Sequence, residues 1–226
     1  MSRVYVVVEG QTEESFVNGI LAPALWPDQV FVMPILLGPP GHKGGNPKYA
    51  RLRKDVVKLL KQEPAAYCST MLDFYALGGD FPGMPLPANL SSIRKALHVE
   101  QAVKMDIAAE LPDLRTGIRF LPYLQLHEYE GLLFSDPESF AAGIRQPNLT
   151  HPFQAIRRGF ATPEDIDDSP DAAPSKQVLR AYAGYRKVVD GTLGAKAVGL
   201  EAMRRECPHF RAWLEQLQAL GAAQRA

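Results

Sequence analysis

The stretch VYVVVEGQTEESF, residues 4–16, decides the fold. Its valine-rich start predicts a buried strand over residues 3–8, because β-branched residues favour strands and the apolar run is short. This strand stops abruptly at Glu9. A carboxylate at the tip of a buried strand is costly to desolvate unless a partner compensates its charge, so Glu9 requires an explanation.

A helix is predicted directly after this strand. Thr12 is a candidate cap, and Glu13 and Glu14 fall in the first turn, where carboxylates complement the helix dipole. Further strands are predicted over 29–36, 67–74 and 118–126, with Pro34 indicating an edge position. Further helices are predicted over about 48–62, 91–109, 129–134, 137–143, 151–159, 175–188, 192–204 and 207–220.

This alternation of strands and helices predicts an α/β fold with a mainly parallel central sheet flanked by helices. We expect one domain, with an α/β core over about 1–135 and a mostly helical extension over about 136–226 packed on it. A chain of 226 residues is long enough for one such core.

The composition is that of an ordinary globular protein, with 46% hydrophobic and 22% charged residues. Lys and Arg number 25, as do Asp and Glu, so the strongly basic footprint of a passive nucleic-acid binder is absent. Two cysteines, Cys68 and Cys207, are expected to be reduced. The N-terminal apolar run is too short for a signal peptide or membrane span, so we expect a cytoplasmic protein without a membrane partner.

Three predicted strands end in acid. Glu9 follows the first, Asp73 ends the third, and Glu128 and Glu130 follow the fourth. Ligands of open α/β sheets bind beyond the carboxyl ends of the strands, so these acids are expected in one crevice. Clustered carboxylates repel each other unless a cation lies among them, and hard oxygen ligands suit Mg²⁺ or Mn²⁺. We therefore predict a metal site that activates water against a phosphoryl group.

The segment HEYEG, residues 127–131, leaves two alternatives. In a continuing strand, Glu128 and Glu130 point to the same side; in a helix they diverge, and then Glu128 is the favoured ligand. The zinc motif HExxH is not matched, because position 131 is glycine where the second histidine would stand.

Two basic segments could neutralise phosphate. A glycine-rich loop and the helix start after it carry Lys43, Lys48 and Arg51, candidates for substrate binding. In the predicted helix 175–188, Ser175 is a candidate cap, which puts Lys176 in the first turn. A cation there opposes the helix dipole, so Lys176 is expected to meet an anion, and Lys187, about three turns on, is expected on the same face.

Several unusual motifs together resemble a bacterial family, DUF4276, grouped with TOPRIM-like, OLD-type nuclease domains. The resemblance covers nearly the whole chain in order. The motifs are EGQTEESF (9–16), TMLDFYALGGDFPG (70–83), LQLHEYEGLLFSD (124–136), APSK (173–176) and CPHFRAWL (207–214).

The resemblance implies a TOPRIM-like domain that breaks or joins phosphodiesters with one or two Mg²⁺ ions. Glu9 matches the TOPRIM glutamate and Asp73 the first acid of its DxD motif. The second acid is replaced by Tyr75, for which Asp80 is a candidate substitute. A second metal position could be completed by further acids instead. The candidates are Glu13, Glu128 and Glu130.

The sequence thus predicts a Mg²⁺- or Mn²⁺-dependent nuclease or phosphotransfer enzyme acting on DNA or RNA. The expected catalytic residues are Glu9, Asp73, Glu128 and Lys176. The resemblance also implies a separately encoded ATPase partner, as in phage defence, because the chain has no Walker A motif. The alternatives are a catalytically weak effector subunit of an ATPase complex, and a metal-dependent phosphatase or primase-like enzyme. A homo-oligomer is compatible with each.

Overall fold

The structure is a computed structural model that describes residues 1–38, 47–166 and 173–222. Five strands within this part of the chain form a sheet in which every pairing is parallel. The order is β2-β1-β3-β4, and β5 also pairs with β3. The strands are β1 (Ser2–Val8), β2 (Val30–Leu36), β3 (Tyr67–Asp73), β4 (Phe120–Leu121) and β5 (Leu124–Gln125).

The predicted α/β fold with a parallel central sheet is confirmed. Helices cover both faces of the sheet, and the C-terminal third of the chain is helical. They are α1 (Gln11–Phe16), α2 (Ala22–Leu25), α3 (Tyr49–Gln62), α4 (Ser92–Glu110), α5 (Thr116–Arg119), α6 (Glu130–Leu133), α7 (Pro137–Gly143), α8 (Thr150–Arg158), α9 (Pro174–Ala181), α10 (Lys187–Val198), α11 (Leu200–Glu206) and α12 (Pro208–Ala222).

Side-chain alternation in β1 divides the core between the two faces. Val4, Val6 and Val8 pack with the C-terminal helices, including Phe210 of α12. Val7 faces the other way and packs with α3 and α4. A strand buried on both faces is expected to be a near-continuous apolar run, which is why residues 4–8 are so rich in valine.

The edge position predicted from Pro34 is confirmed. β2 is the first strand of the sheet order, and Pro34 lies opposite Val6 of β1. A proline has no N–H to donate, and an edge strand leaves one side of its backbone without a neighbouring strand.

The predicted helix cap at Thr12 is wrong. α1 begins at Gln11, and Thr12 is buried in its first turn. Glu13 and Glu14 do lie in that turn, as expected. The cap is formed instead by Glu13, whose Oε2 accepts a hydrogen bond of 2.9 Å from the N–H of Gly10.

The predicted fourth strand, 118–126, is also wrong in extent. Its first residues belong to α5, and two short strands, β4 and β5, replace the rest. The sheet is interrupted at Tyr123 by a side chain of β3. The Thr70 hydroxyl donates to the Tyr123 carbonyl at 2.7 Å and accepts from the Tyr123 N–H at 2.9 Å. These bonds take the place of backbone pairing, and Pro122 before them has no N–H to donate.

The predicted helices 175–188 and 192–204 have different boundaries in the structure. α9 ends at Ala181 and α10 starts at Lys187, with the Asp190 carboxylate accepting from the Arg186 N–H at 2.7 Å. Gly199, with φ of 76°, separates α10 from α11. Glycine adopts this left-handed conformation without the steric cost of a Cβ.

A buried polar centre anchors α12 to the sheet. Glu164 caps the helix, its two carboxylate oxygens accepting from the N–H groups of His209 and Phe210 at 2.9 and 2.8 Å. Glu100 lies 2.9 Å from His209 Nε2 and also accepts from the Leu124 N–H at 2.7 Å. We call Glu100, Glu164 and His209 the polar centre. Every one of these carboxylates therefore has defined hydrogen-bond donors.

Candidate functional site

Five carboxyl groups and one ammonium group gather at the carboxyl edge of the sheet. The parallel strands place Glu9 after β1 and Asp73 at the end of β3, on neighbouring strands. We call the group the carboxylate cluster. Its members are Glu9, Glu13, Asp73, Glu128, Glu130 and Lys187.

Lys187 joins two of these acids. Its Nζ lies 3.3 Å from Glu130 Oε2 and 3.9 Å from Asp73 Oδ2. Burial by itself would lower the pKa of Lys187, but the charges of Glu130 and Asp73 outweigh this and raise it. The ammonium group therefore stays protonated and partly neutralises the cluster.

The protein backbone fixes one oxygen of several cluster carboxylates. Asp73 Oδ1 accepts from the Tyr129 N–H at 2.9 Å. Glu128 Oε2 accepts from the Ser175 N–H at 2.8 Å, and Glu13 is held by Gly10. A carboxylate oriented in this way presents its second oxygen in a defined direction, as ligands of metal ions do.

Neighbouring positive charges and hydrogen-bond donors compensate the charge of the cluster carboxylates only in part. Burial raises the pKa of Glu9 to about 7, helped by the charge of Glu13 and opposed by Lys187. Burial also raises the pKa of Glu130 to about 7, here too against the effect of Lys187. The pKa values of Asp73 and Glu13 are raised as well, chiefly by burial. Glu9 Oε2 is buried and accepts no hydrogen bond from the described residues.

The turn after β5 decides how the two glutamates of HEYEG are presented. His127 is buried and left-handed, with φ of 60°, and its carbonyl accepts from the Tyr75 N–H at 3.2 Å. The strand has ended before Glu128, and α6 begins at Glu130. The Glu128 carboxylate accepts a hydrogen bond from Ser175 of α9, and the fully buried Glu130 carboxylate pairs with Lys187.

Tyr75 and Asp80 lie away from the cluster's ion pairs. The Tyr75 side chain is 44% exposed, so it does not replace the missing acid. The Asp80 carboxylate accepts from the Tyr49 N–H at 2.8 Å, at the start of α3. Asp80 is therefore engaged as a helix cap.

The basic candidates separate into different places. Lys176 is exposed on α9, and Ser175 does not cap that helix, since its N–H donates to Glu128. The prediction that Lys176 and Lys187 share one helix face is wrong, because they lie on different helices. Lys48 is exposed just before α3 and Arg51 lies half-buried in its first turn. Lys43 falls in residues 39–46, outside the described part of the chain.

Two tyrosines complete the surroundings, and no sequence signal pointed to either. The Tyr129 N–H orients Asp73, and the Tyr185 hydroxyl lies 3.5 Å from Glu130 Oε1. Tyr185 comes two residues before Lys187, in the segment that was predicted to be helical. Its role depends on the break between α9 and α10, which periodicity did not reveal.

Comparisons with known proteins identify the family. Residues 8–218 match the model described as Domain of unknown function (DUF4276). The chain belongs to the DUF4276 family. This confirms the family prediction made from the motifs. No curated protein matches the sequence.

One solved structure covers this DUF4276 chain from end to end. It is titled "C-terminal region of the Xanthomonas campestris pv. campestris OLD protein phased with mercury". The two are 15% identical, with a TM-score of 0.47, over 100% of this chain and 99% of the other. Within the described residues, no helix is long and apolar enough to cross a membrane.

The donor set of the cluster suits a divalent cation in its chemistry but is not arranged around one. As the side chains stand, no three acidic, His or Cys residues of the described ranges are arranged to hold one metal ion. The chemistry of the donors nevertheless fits Mg²⁺ or Mn²⁺, which prefer carboxylate oxygens. Glu9 Oε2 is the oxygen whose burial without a partner most needs a cation.

Proposed function

We propose that this protein is a Mg²⁺- or Mn²⁺-dependent nuclease that hydrolyses nucleic-acid phosphodiesters at the carboxylate cluster. The observation that carries the proposal is Glu9: a carboxylate at the strand tip, with one buried oxygen lacking a hydrogen-bond donor among the described residues and a pKa raised to about 7. A nearby cation favours the ionised form of such a group.

The charge balance supports a metal. Within the described residues, Lys187 is one positive charge facing five carboxyl groups, and it contacts two of them. The pKa values of Glu9 and Glu130 are raised, chiefly by burial, although the charge of Lys187 lowers both. A divalent cation among these oxygens would lower those pKa values and restore the balance.

The residues that would hold the metal are Glu9 and Asp73, with Glu13, Glu128 or Glu130 completing the shell. A bound Mg²⁺ would supply an activated water and neutralise charge on the phosphoryl oxygens. The chain's own part is to orient Asp73 through Tyr129 and Glu128 through Ser175.

Lys187 and Lys176 are the candidates for binding the phosphate. The geometry favours Lys187, because its ammonium already lies in the cluster and bears an elevated pKa. Lys176 is exposed on α9, next to Ser175, at the rim of the site. We propose that Lys187 stabilises charge on the phosphate and that Lys176 assists from the rim.

The test is cleavage of labelled single- and double-stranded DNA and RNA by the purified chain with Mg²⁺ or Mn²⁺. Glu9→Gln and Asp73→Asn should each reduce cleavage by at least about 100-fold, because a metal's contribution to charge stabilisation is several kcal/mol. Glu14→Gln is the matched control. It removes the carboxylate next to Glu13 in the first turn of α1, outside the cluster, and should keep activity.

Lysine variants separate the two phosphate candidates. Lys187→Ala should reduce cleavage more than Lys176→Ala, since Lys187 alone of the two contacts the described acids. Undiminished, metal-dependent cleavage by Glu9→Gln would sink the proposal. Activity of the chain by itself would show that the separately encoded ATPase implied by the resemblance is not required for the chemistry.

A further inference from the structure

The outer face of α3 carries a straight row of lysines. Lys54, Lys58 and Lys61 are spaced by four and three residues, so they lie on one side of the helix, and all three are exposed. We call them the lysine row. Along the helix axis the row spans about 10 Å, at about 1.5 Å per residue. Leu52 and Leu60 on the opposite side are buried in the core.

Most of the positive charge of the lysine row is not neutralised by neighbouring acids of the described residues. Lys54 and Lys58 form no ion pair with any residue that the structure describes, and Lys61 lies 3.9 Å from Glu110 with its side chain 55% exposed. The nearby acids of α4 pair chiefly with Arg53, which bonds to both Asp106 and Glu110. A chain of zero net charge therefore presents a locally basic surface here.

The row leads away from the carboxylate cluster. α3 connects β2 to β3, two parallel strands, so it must begin at the carboxyl edge of the sheet, where the cluster lies. Asp80 fixes that start through the Tyr49 N–H. The row thus runs from the side of the site towards the opposite edge of the sheet.

A groove accompanies the row. It has a volume of about 530 Å³ and lies between α3 and the end of α4. Its walls combine ammonium groups with aliphatic surface, a combination that suits phosphates together with sugars and bases. The residues that matter here are the cations Arg53, Lys54, Lys58 and Lys61, the aliphatic Val57, and the lining acid Glu110, which pairs with Arg53.

We propose that the lysine row and its groove bind the phosphodiester backbone of a nucleic-acid strand beside the bond to be cleaved. This inference rests on the proposed nuclease function and adds the path of the substrate. Charge complementarity favours a polymer, because three cations in line match a repeating anion. A single small anion would instead be held by converging donors.

Binding is measured without cleavage, by fluorescence anisotropy of a labelled single-stranded oligonucleotide in EDTA at several salt concentrations. Lys54→Gln, Lys58→Gln and Lys61→Gln together should weaken binding at least about tenfold. They should also reduce the slope of log affinity against log salt by about 2, because each lost contact to a single strand contributes about 0.7. The affinities of DNA and RNA oligonucleotides of the same sequence are compared to show which backbone the surface prefers.

Two control variants make the result specific. Arg158→Gln, Lys196→Gln and Arg211→Gln together remove the same charge from exposed positions elsewhere and should change binding less than about twofold. Lys54→Arg, Lys58→Arg and Lys61→Arg keep the charge and should bind as the wild type does. Circular dichroism of all variants checks that α3 remains folded.

The inference is overturned if the Gln variant binds as tightly as the charge-matched control. It is also overturned if the surface captures polyglutamate but not the oligonucleotide, which would assign it to an acidic protein. Failure of the proposed function gives a different result: no cleavage with Mg²⁺ or Mn²⁺, while binding in EDTA still depends on the lysine row.

Discussion

The carboxylate cluster and the polar centre both bury acidic side chains, but they compensate them differently. In the polar centre, Glu164 accepts two backbone N–H groups and Glu100 meets His209 and the Leu124 N–H. In the cluster, Glu9 keeps an oxygen with no donor among the described residues. A satisfied buried network stabilises a fold, whereas a partly satisfied one needs another ligand. The same residue type is thus fully hydrogen-bonded in one region and left with an oxygen unpartnered among the described residues in the other.

The largest expected effect comes from breaking the polar centre. Glu100→Ala should destabilise the protein by about 3 kcal/mol, because it leaves His209 and a backbone N–H buried without their acceptor. The free energy of unfolding is measured in urea. Glu201→Ala, at an exposed position of α11, is the control and should change it by less than about 0.5 kcal/mol. Equal effects of the two substitutions would contradict a structural role for Glu100.

A smaller effect is expected when the cluster receives its cation. Mg²⁺ at about ten times its dissociation constant should stabilise the wild type by about 1.4 kcal/mol relative to EDTA, because it binds the folded state. For a chain of this size, each kcal/mol raises the melting temperature by about 2–4 °C. Glu9→Gln and Asp73→Asn should lose this shift in thermal unfolding, and Glu14→Gln should retain it. A shift that survives in all three variants would place the metal elsewhere.

The smallest effect is a pH dependence of stability in EDTA. The pKa of Glu9 is raised in the folded state to about 7, from 4.5. The folded state therefore binds the proton more tightly, and the associated stability is present below about pH 4.5 and is lost as the pH rises through about 7. Glu9→Gln lacks this loss and should be more stable than the wild type at about pH 8, but not at about pH 5. The difference should be smaller than about 3 kcal/mol, the free energy of the full shift, because Glu9 is partly exposed to water.

Urea unfolding across this pH range measures the difference. Glu14→Gln should show no comparable dependence, and added Mg²⁺ should remove most of the difference by stabilising the ionised wild type. A difference in the free energy of unfolding between Glu9→Gln and wild type that is constant with pH would show that charge at Glu9 is not the cause.

The polar centre has a different pH dependence. Burial lowers the pKa of His209, but Glu100 and Glu164 outweigh this effect and raise the pKa. Its contribution is therefore lost only as the pH rises above the ordinary histidine range.

Local sequence pattern was sufficient for the sheet's first and third strands. The valine run before Glu9 and the apolar run before Asp73 have no competing structure, so both strand ends were predicted to within one residue. The interruption at Tyr123 was not predictable, because it depends on the hydroxyl of Thr70, a residue 53 positions away. A pattern of neighbouring residues cannot reveal which distant side chain replaces a backbone partner.

The position of Lys187 shows the same limit in the site. It was predicted as a substrate ligand from a helix that would also carry Lys176, yet the chain breaks between them. The break depends on Asp190 binding the Arg186 N–H and on Tyr185 packing into the core. The helical periodicity of the sequence runs through these residues without a break, so it predicted one helix. Tertiary contacts break that helix and bring Lys187 to Glu130 and Asp73.

The cluster takes its acids from the first 130 residues and its lysine from residue 187. During synthesis on the ribosome, Glu9 and Asp73 therefore emerge long before the ammonium group that binds them. The centre cannot be assembled before residue 187 has been translated. A nascent polypeptide that stops short of this residue has the acids without their counter-charge, so the order of translation itself sets the earliest point at which the site can be completed.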